Sequence, residues 1–272
     1  MKIAYFRDLP SSNSLQSHGE YYSDVNSLQV LEISIEKYSK GELLVAGWGG
    51  SKLHGTDNKD SDLDVRGIYV PHPEELMTLD YKANINYNDV FDNKKLDVSF
   101  CSIQEFAYRL ARMECNAVEL YYAIAGMHYF GCNPKFNRTE FNLAGQLIRK
   151  DAASFLGMAD SHRKGRGKKG RLETKSWKEL AHGYRAYYEA QYILEGHPIK
   201  FPLTHADYLR YMKEGGLGVR GGGDEGFDAL ALELDMKIER LRRDYTPEPR
   251  TKNHDFIAKQ LIKETYRTVY GK

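Results

Sequence analysis

A pair of aspartates, Asp62 and Asp64, lies between a glycine-serine turn and an apolar run. The apolar segment 43–48 upstream has the length and the flanking glycines of a buried strand. Residues two apart on a strand point to the same side, so both carboxylates are predicted to aim at one point while Leu63 faces the core. Like charges so close repel, and each carboxylate would stay protonated without a cation.

The chemistry of this stretch suits a metal-bound nucleotide. A hard divalent ion such as Mg²⁺ takes oxygen ligands and is usually held by one or two carboxylates plus substrate phosphates. Gly49 and Gly50 allow the backbone to approach a ligand closely. If Ser51 opens a helix, the free N–H groups of the first turn form an anion site. A phosphate-binding turn beside a carboxylate pair therefore suggests a metal–nucleotide site.

These motifs resemble those of a known family. Gly50-Ser51, then Asp62-x-Asp64, then a later strand carboxylate resemble the nucleotidyltransferase superfamily related to DNA polymerase β. The longer string, from Gly-Ser-x-x-x-Gly through Ser-Asp-x-Asp-x-Arg-Gly, resembles its branch of predicted nucleotidyltransferases associated with RNA repair in bacteria and phages. A lone Asp-x-Asp is a weak signal, whereas the whole string is a strong one. The likeness covers about residues 25–270.

The resemblance implies a third metal carboxylate on a strand beside the Asp-x-Asp strand. Asp97, the polar residue of the predicted strand 96–100, has the right type and context. It would hold the metal nearer the attacking hydroxyl and help to deprotonate it. The alternative is an exposed aspartate after a turn. The predicted catalytic and metal-binding residues are Asp62, Asp64 and Asp97, with two Mg²⁺ ions, or Mn²⁺ in their place.

A second set of predicted site residues lies on the helix expected at 175–195. Lys178, His182 and Arg185 fall at i, i+4 and i+7 and so share a helix face. Their pattern resembles the family's signature in its helical half, which implies cations presented to a triphosphate across the cleft from the metals. A structural histidine is the alternative for His182 taken alone. The predicted nucleotide-binding residues are Gly50, Ser51, Arg66, Lys178, His182 and Arg185.

Three further patterns lead to predictions outside these motifs. Ser102 and Glu105 form a capping box that starts a helix. Glu119 lies in the apolar helical segment 116–125, where we expect an exposed glutamate, while the resemblance suggests a buried brace as the alternative. The basic run 163–171 is interrupted by glycines and is predicted to be a loop. Polyanion binding and simple solvation are equally compatible with that loop.

The order of elements and the resemblance together predict an α+β chain with two domains. A nucleotidyltransferase catalytic domain, a small mixed sheet with flanking helices, is expected at 1–130. An all-helical domain that binds nucleotide and substrate is expected at 131–272. A helix at 23–40 and an edge strand at 90–92 are predicted in the first part, and helices at 140–159, 175–195, 224–244 and 253–270 in the second.

Composition bounds the compartment and the partners. Cys101, Cys115 and Cys132 have no paired spacing, which argues against disulfides or a zinc site and suits a reducing compartment. The N-terminus lacks the apolar core of a signal peptide, and no apolar run approaches the roughly 20 residues of a membrane span. A cytoplasmic protein without a membrane partner is expected. The net charge of +1 gives no support to nucleic acid, and the oligomeric state is not predicted.

The resulting hypothesis is a Mg²⁺-dependent nucleotidyltransferase. It would move a nucleoside monophosphate from a nucleoside triphosphate to a hydroxyl acceptor and release pyrophosphate. An RNA or tRNA end fits the family association as acceptor. A small molecule such as an aminoglycoside, or a protein hydroxyl, fits the same core. The second class of function is a catalytically silent nucleotide-binding protein.

Overall fold

A computed structural model describes residues 4–5, 41–78, 81–91, 93–129, 131–132, 138–163, 177–215 and 223–271. The predicted helix at 23–40 and residues 164–171 of the basic run lie outside these residues. Within the described ranges the fold is α+β, as predicted. A mixed sheet with flanking helices is followed, past a short strand at 131–132, by helices.

The described strands join one sheet. They are β1 (Ala4–Tyr5), β2 (Gly41–Trp48), β3 (Leu63–Pro71), β4 (Asn84–Phe91), β5 (Lys94–Ser102) and β6 (Gly131–Cys132). Their order across the sheet is β1-β6-β2-β3-β5-β4. Strands β3 and β5 pair in parallel, and the other described neighbours pair antiparallel. The Asp-x-Asp strand and the strand of Asp97 are therefore direct neighbours.

Alternation along β3 and β5 gives the sheet two different faces. Val65, Leu96 and Val98 are buried in an apolar cluster on one face. Ile68 belongs to the larger core on the opposite face, which is the face that helices cover. Because residues two apart share a side, Asp64 lies on the face of Ile68. The acidic ends of the strands thus open toward the helical layer.

The described helices form that layer and the C-terminal half. They are α1 (Gly50–His54), α2 (Ile103–Ala111), α3 (Cys115–Ala125), α4 (Arg138–Gly145), α5 (Ala153–Arg163), α6 (Trp177–Glu195), α7 (Ala206–Lys213), α8 (Gly223–Asp244) and α9 (Lys252–Tyr270). Helix α2 begins as the capping box predicts, since the Ser102 hydroxyl accepts from the Glu105 N–H at 3.1 Å. None of the described helices has the length and apolar character needed to span a membrane.

Two predicted boundaries are wrong. The single helix predicted at 140–159 is two helices, α4 and α5, because the Asp151 carboxylate caps α5 by accepting from the Ala153 N–H at 3.2 Å. The edge strand predicted at 90–92 begins at Asn84 and ends at Phe91. The asparagines of β4 hid the alternating pattern that predicts a strand. They are tolerated there because β4 is the outermost strand of the sheet and its asparagines alternate with residues such as the buried Ile85.

The C-terminal helix returns to the sheet. The Tyr270 hydroxyl donates to the Val70 carbonyl at 2.8 Å, and the Gln104 side chain donates to the Tyr266 hydroxyl at 2.7 Å. One apolar core includes residues from both halves of the chain, from Leu44 to Val269. The division into domains at 1–130 and 131–272 stays a prediction.

Candidate active site

The glycine-serine turn after β2 fits closely against the Asp-x-Asp strand. Gly50 has φ = +52°, and a Cβ added there would overlap the carboxylate of Asp64. The Gly49 N–H donates to the Asp64 carbonyl at 2.9 Å. Only glycine meets both the backbone and the space requirement at position 50. The turn runs into α1, a five-residue helix that contains Ser51.

The three predicted metal-binding aspartates lie on neighbouring elements. Asp64 on β3 is the in-register partner of Asp97 on β5, and Asp62 lies just before β3. Burial, together with the charges of Asp97 and Asp62, raises the pKa of Asp64 even though Arg66 acts to lower it. Asp97 is paired with the Lys95 ammonium at 2.6 Å. The structure therefore brings the predicted acids together near the N-terminal ends of β3 and β5.

These acids have the donor chemistry that a hard divalent cation requires. All three supply carboxylate oxygens, which are the ligands that Mg²⁺ and Mn²⁺ take. The raised pKa of Asp64 reflects burial first and the charges of Asp97 and Asp62 second, and a bound cation would favour the ionised carboxylate against both. Asp62 is exposed, and Asp64 and Asp97 are partly buried, so the cation could be reached from solvent. The aspartates fit a divalent metal.

A cavity of about 310 Å³ opens beside the acids. Its lining combines the turn, two of the aspartates and cations from the C-terminal half. The lining residues are Gly50, Ser51, Asn58, Asp60, Ser61, Asp62, Asp64, Lys178, His182 and Lys213. The acids and the backbone of the turn therefore share this cavity with the nitrogen-bearing side chains of Lys178, His182 and Lys213.

The titratable side chains that the C-terminal half contributes to the cavity disfavour one another's positive charge. Burial lowers the pKa of His182 to about 3, and the nearby charges of Arg185, His162, Lys178 and Lys213 act in the same direction. Burial and the charge of Lys178 also lower the pKa of Lys213. An anion placed between these groups would relieve the repulsion. This side of the cavity therefore suits phosphates.

Arg185 shares the helix face of Lys178 and His182 but does not line the cavity. It is buried, with Nη1 2.8 Å from His54 Nε2 and 3.6 Å from Glu119 Oε1. Glu119 is 8% exposed, so the expectation of an exposed helix glutamate is wrong. Burial acts to raise the pKa of Glu119, but Arg185 and His54 outweigh it and lower the pKa to about 2. Charge compensation is the physical reason why this glutamate is inside.

Arg66, two residues after Asp64 on β3, lies outside the cavity that Asp64 lines. It lines a second, small cavity of about 30 Å³ together with Ser99 and Arg109. The structure thus brings Gly50, Ser51, Lys178 and His182 to one cavity and places the other two predicted nucleotide-binding residues elsewhere. Arg66 nevertheless packs against the turn, since a Cβ added at Gly49 would meet its side chain.

Sequence reasoning missed several residues of the site. Lys213 lines the cavity from α7, about 160 positions after the turn, and no local signal points to it. Asn58 and Ser61 belong to the loop between the turn and Asp62, where their hydrogen bonds hold the loop closed: the Asn58 N–H donates to Ser61 Oγ at 3.0 Å. The sequence did contain a signal for His54 and Glu189. His54 falls four residues after Gly50, and Glu189 continues the helix face of Arg185.

Comparisons with known proteins gave one family and a solved structure to which the chain is similar. The model of a family described as RlaP, RNA repair pathway DNA polymerase beta family, matches residues 26–219. No curated protein matches the chain. Among solved structures, a nucleotidyltransferase-like protein from Exiguobacterium sibiricum 255-15 is similar at 11% identity, with 78% of this chain and 74% of that chain covered and a TM-score of 0.31.

Proposed function

Because the chain belongs to the RNA repair pathway DNA polymerase beta family, we propose that it is a divalent-metal-dependent nucleotidyltransferase. The family supports nucleotidyl transfer in general terms. The finer proposal is transfer of a nucleoside monophosphate from a nucleoside triphosphate to a hydroxyl acceptor, with pyrophosphate as the other product. An RNA or tRNA end is the acceptor that the family association favours.

The observation that carries the proposal is the pairing of Asp64 with Asp97. The two acids are in register on parallel strands, and Asp64 lines a cavity that Lys178 and Lys213 also line. In this arrangement Asp62, Asp64 and Asp97 would hold Mg²⁺, with Mn²⁺ as a substitute. The metal would neutralise charge on the phosphate oxygens and on the leaving pyrophosphate.

The protein's own groups position the reactants. The backbone of Gly50 and Ser51 would contact the β- and γ-phosphates, because glycine lets them approach closely. Lys178 and Lys213, which line the same cavity, would act as point charges on these phosphates. The Asp97 carboxylate would face the acceptor and accept the proton of its hydroxyl. Positioning and charge neutralisation supply most of the catalysis in phosphoryl transfer.

The test is transfer of label from nucleoside triphosphates labelled at the α-phosphorus. Each of the four ribonucleotides is incubated with the protein and total RNA, with and without Mg²⁺, and the labelled product is identified. We expect metal-dependent labelling that is lost in the Asp62→Asn/Asp64→Asn double variant. The exposed Asp207→Asn variant is the control and should transfer normally.

Different outcomes separate the acceptors and refute the proposal. Labelling of RNA that weakens steeply with rising salt supports a polynucleotide acceptor. Labelling of the protein itself, or of an added aminoglycoside, shows another acceptor for the same chemistry. Nucleotide binding without transfer to any acceptor would identify a silent binding protein. Equal transfer by the double variant would refute the assignment of the aspartates.

A further inference from the structure

Four charged or titratable side chains meet beneath the glycine-serine turn, in a place that the proposed reaction does not use directly. His54, Glu119 and Glu189 are 1%, 8% and 0% exposed, and the side chain of Arg185 is 14% exposed. Unlike Asp62 and Asp64, none of the four lines the cavity. We call this group the buried network.

The buried network touches the turn through one residue. His54 is the last residue of α1, and its Nδ1 donates to the carbonyl of Gly50 at the start of the same helix. The opposite ring nitrogen, Nε2, lies 2.8 Å from Arg185 Nη1 and 3.1 Å from Glu189 Oε1. The imidazole therefore connects the backbone of the turn with two side chains of α6.

The same helix carries the cationic wall of the cavity. Lys178, His182, Arg185 and Glu189 follow one another at i, i+4, i+7 and i+11, so they form a single stripe on α6. The first two line the cavity, and the last two belong to the buried network. Movement of α6 relative to the turn would therefore change the distance across the cavity.

Arg185 and a protonated His54 can balance the two glutamates of the buried network without an added ion. Burial and Arg185 act to lower the pKa of His54, but Glu119 and Glu189 outweigh them and raise it. His54, Glu119 and Glu189 could by their spacing hold a metal, since their ligand atoms all lie within 4.8 Å of one another. However, the guanidinium of Arg185 lies against His54 Nε2 and 3.6 Å from Glu119, where it supplies the positive charge. A metal in the same space would be repelled by that guanidinium.

We propose that the buried network fixes the position of the Gly50–Ser51 turn relative to Lys178 and His182, and thereby sets the affinity for the nucleotide phosphates. This inference rests on the proposed function, in which the turn and the α6 cations bind those phosphates. His54 and Glu189 are positioning residues, because they act through Gly50 and α6. Binding depends on them because misplaced donors lose most of their contribution.

The experiment compares Glu189→Gln, His54→Gln and the double variant with a matched control. Glu195→Gln makes the same change on the same helix at an exposed position. Steady-state transfer gives KM and kcat for the nucleotide, and calorimetry gives the Kd of the Mg²⁺-bound nucleotide. We expect KM and Kd to rise roughly 10- to 100-fold in the single variants, with kcat at saturation changed much less. The double variant should be little worse than either single variant, because both break one network.

Hydrogen exchange supplies a second readout that does not need turnover. Peptides covering residues 49–55 should exchange faster in Glu189→Gln than in the wild type, while peptides from the core of β3 stay protected. This measurement also applies where a variant has lost stability but remains folded by circular dichroism. If the wild type binds nucleotide but transfers it to no acceptor, the proposed function fails, and calorimetry and exchange still test the network.

Three results would overturn the inference. One is an unchanged Kd and unchanged exchange of the turn in folded Glu189→Gln. Another is a loss of kcat with unaltered KM, which would make these residues part of the chemical step. The last is one equivalent of tightly bound metal in the purified protein that disappears in Glu189→Gln, which would make the cluster a metal site.

Discussion

Two acidic groups lie on the same side of the sheet and differ in how their charge is balanced. Glu119 and Glu189 are buried, and Arg185 and His54 lie within hydrogen-bonding or ion-pair distance of them. Asp62 and Asp64 border an open cavity, and Asp97 is the in-register neighbour of Asp64. Burial and the charges of Asp97 and Asp62 raise the pKa of Asp64. Arg185 and His54 offset the charge of the buried glutamates, whereas Lys95 pairs with Asp97 and Arg66 acts on Asp64 without preventing the rise in its pKa.

This difference indicates which group is available to a ligand. A buried charge is costly unless it is paired, so the paired glutamates contribute to one particular packing of α3 and α6 on the turn. Partly exposed acids that repel each other contribute little to the fold and bind a cation strongly. The comparison predicts that changes in the two groups have opposite effects on stability and activity.

The largest expected effect is on activity, from Asp64→Asn. Transfer should fall roughly 10³-fold or more, the scale on which a main source of transition-state charge stabilisation is lost. The unfolding free energy at neutral pH should stay level or rise, because the change removes a carboxylate whose pKa is raised in the folded protein. Labelled-nucleotide transfer and urea denaturation measure the two quantities.

A metal titration provides the control for this variant. Mg²⁺ or Mn²⁺ should raise the melting temperature of the wild type, since a ligand that binds only the folded state stabilises it, and should have little effect on Asp64→Asn. A variant that melts well below the wild type without metal would show that Asp64 is structural, and the contrast between the two acidic groups would then break down.

The next largest effect is on stability, from Arg185→Met. The substitution keeps an apolar stem but removes the guanidinium beside the buried Glu119 and leaves His54 as its remaining partner in the buried network. Loss of one partner of a buried ion pair should lower the unfolding free energy by about 3–5 kcal/mol. Urea denaturation measures this loss. The exposed Arg240→Met should change stability by less than about 0.5 kcal/mol, and an equally small change at Arg185 would contradict the prediction.

Gly50→Ala changes a residue that contacts both groups, since the Gly50 carbonyl accepts from His54 and its Cα faces the carboxylate of Asp64. Its Cβ would meet the carboxylate of Asp64, and the positive φ adds backbone strain, so we expect a loss of about 1–3 kcal/mol together with weaker nucleotide binding. Gly271→Ala is the matched control, since it also has positive φ but nothing within 4 Å of an added Cβ. Equal binding by Gly50→Ala and the wild type would show that the turn does not contact phosphates.

The sequence predicted the parts of the site that depend on local spacing. Asp62, Asp64 and the turn lie within a single stretch. The family resemblance, rather than spacing, placed Asp97 on a strand beside Asp64, and the two residues are in register on β5 and β3. The position of Glu119 was predicted wrongly because its burial depends on Arg185, which is 66 residues away in the chain. Lys213 could not be found for the same reason. Long-range packing decides such residues, and a single sequence carries no record of it.

The smallest expected effect concerns pH and His182 in the cationic wall. Its pKa is about 3 in the folded protein, below the value of about 6.5 for an unfolded chain. As the pH falls below 6.5 the unfolded state takes up a proton that the folded state does not, so this residue makes stability decline progressively from pH 6.5 toward 3. Urea denaturation between pH 4 and 7 should therefore give a shallower slope for His182→Asn, by at most about one proton.

A bound triphosphate should reverse this behaviour. Negative phosphates beside Lys178 and His182 would favour the protonated imidazole, so saturating nucleotide should reduce the difference in slope between the wild type and His182→Asn. The exposed His197→Asn should leave the slope unchanged in both conditions. If nucleotide does not alter the slope of the wild type, His182 does not face the phosphates, and the cationic wall would have to be separated from the nucleotide site.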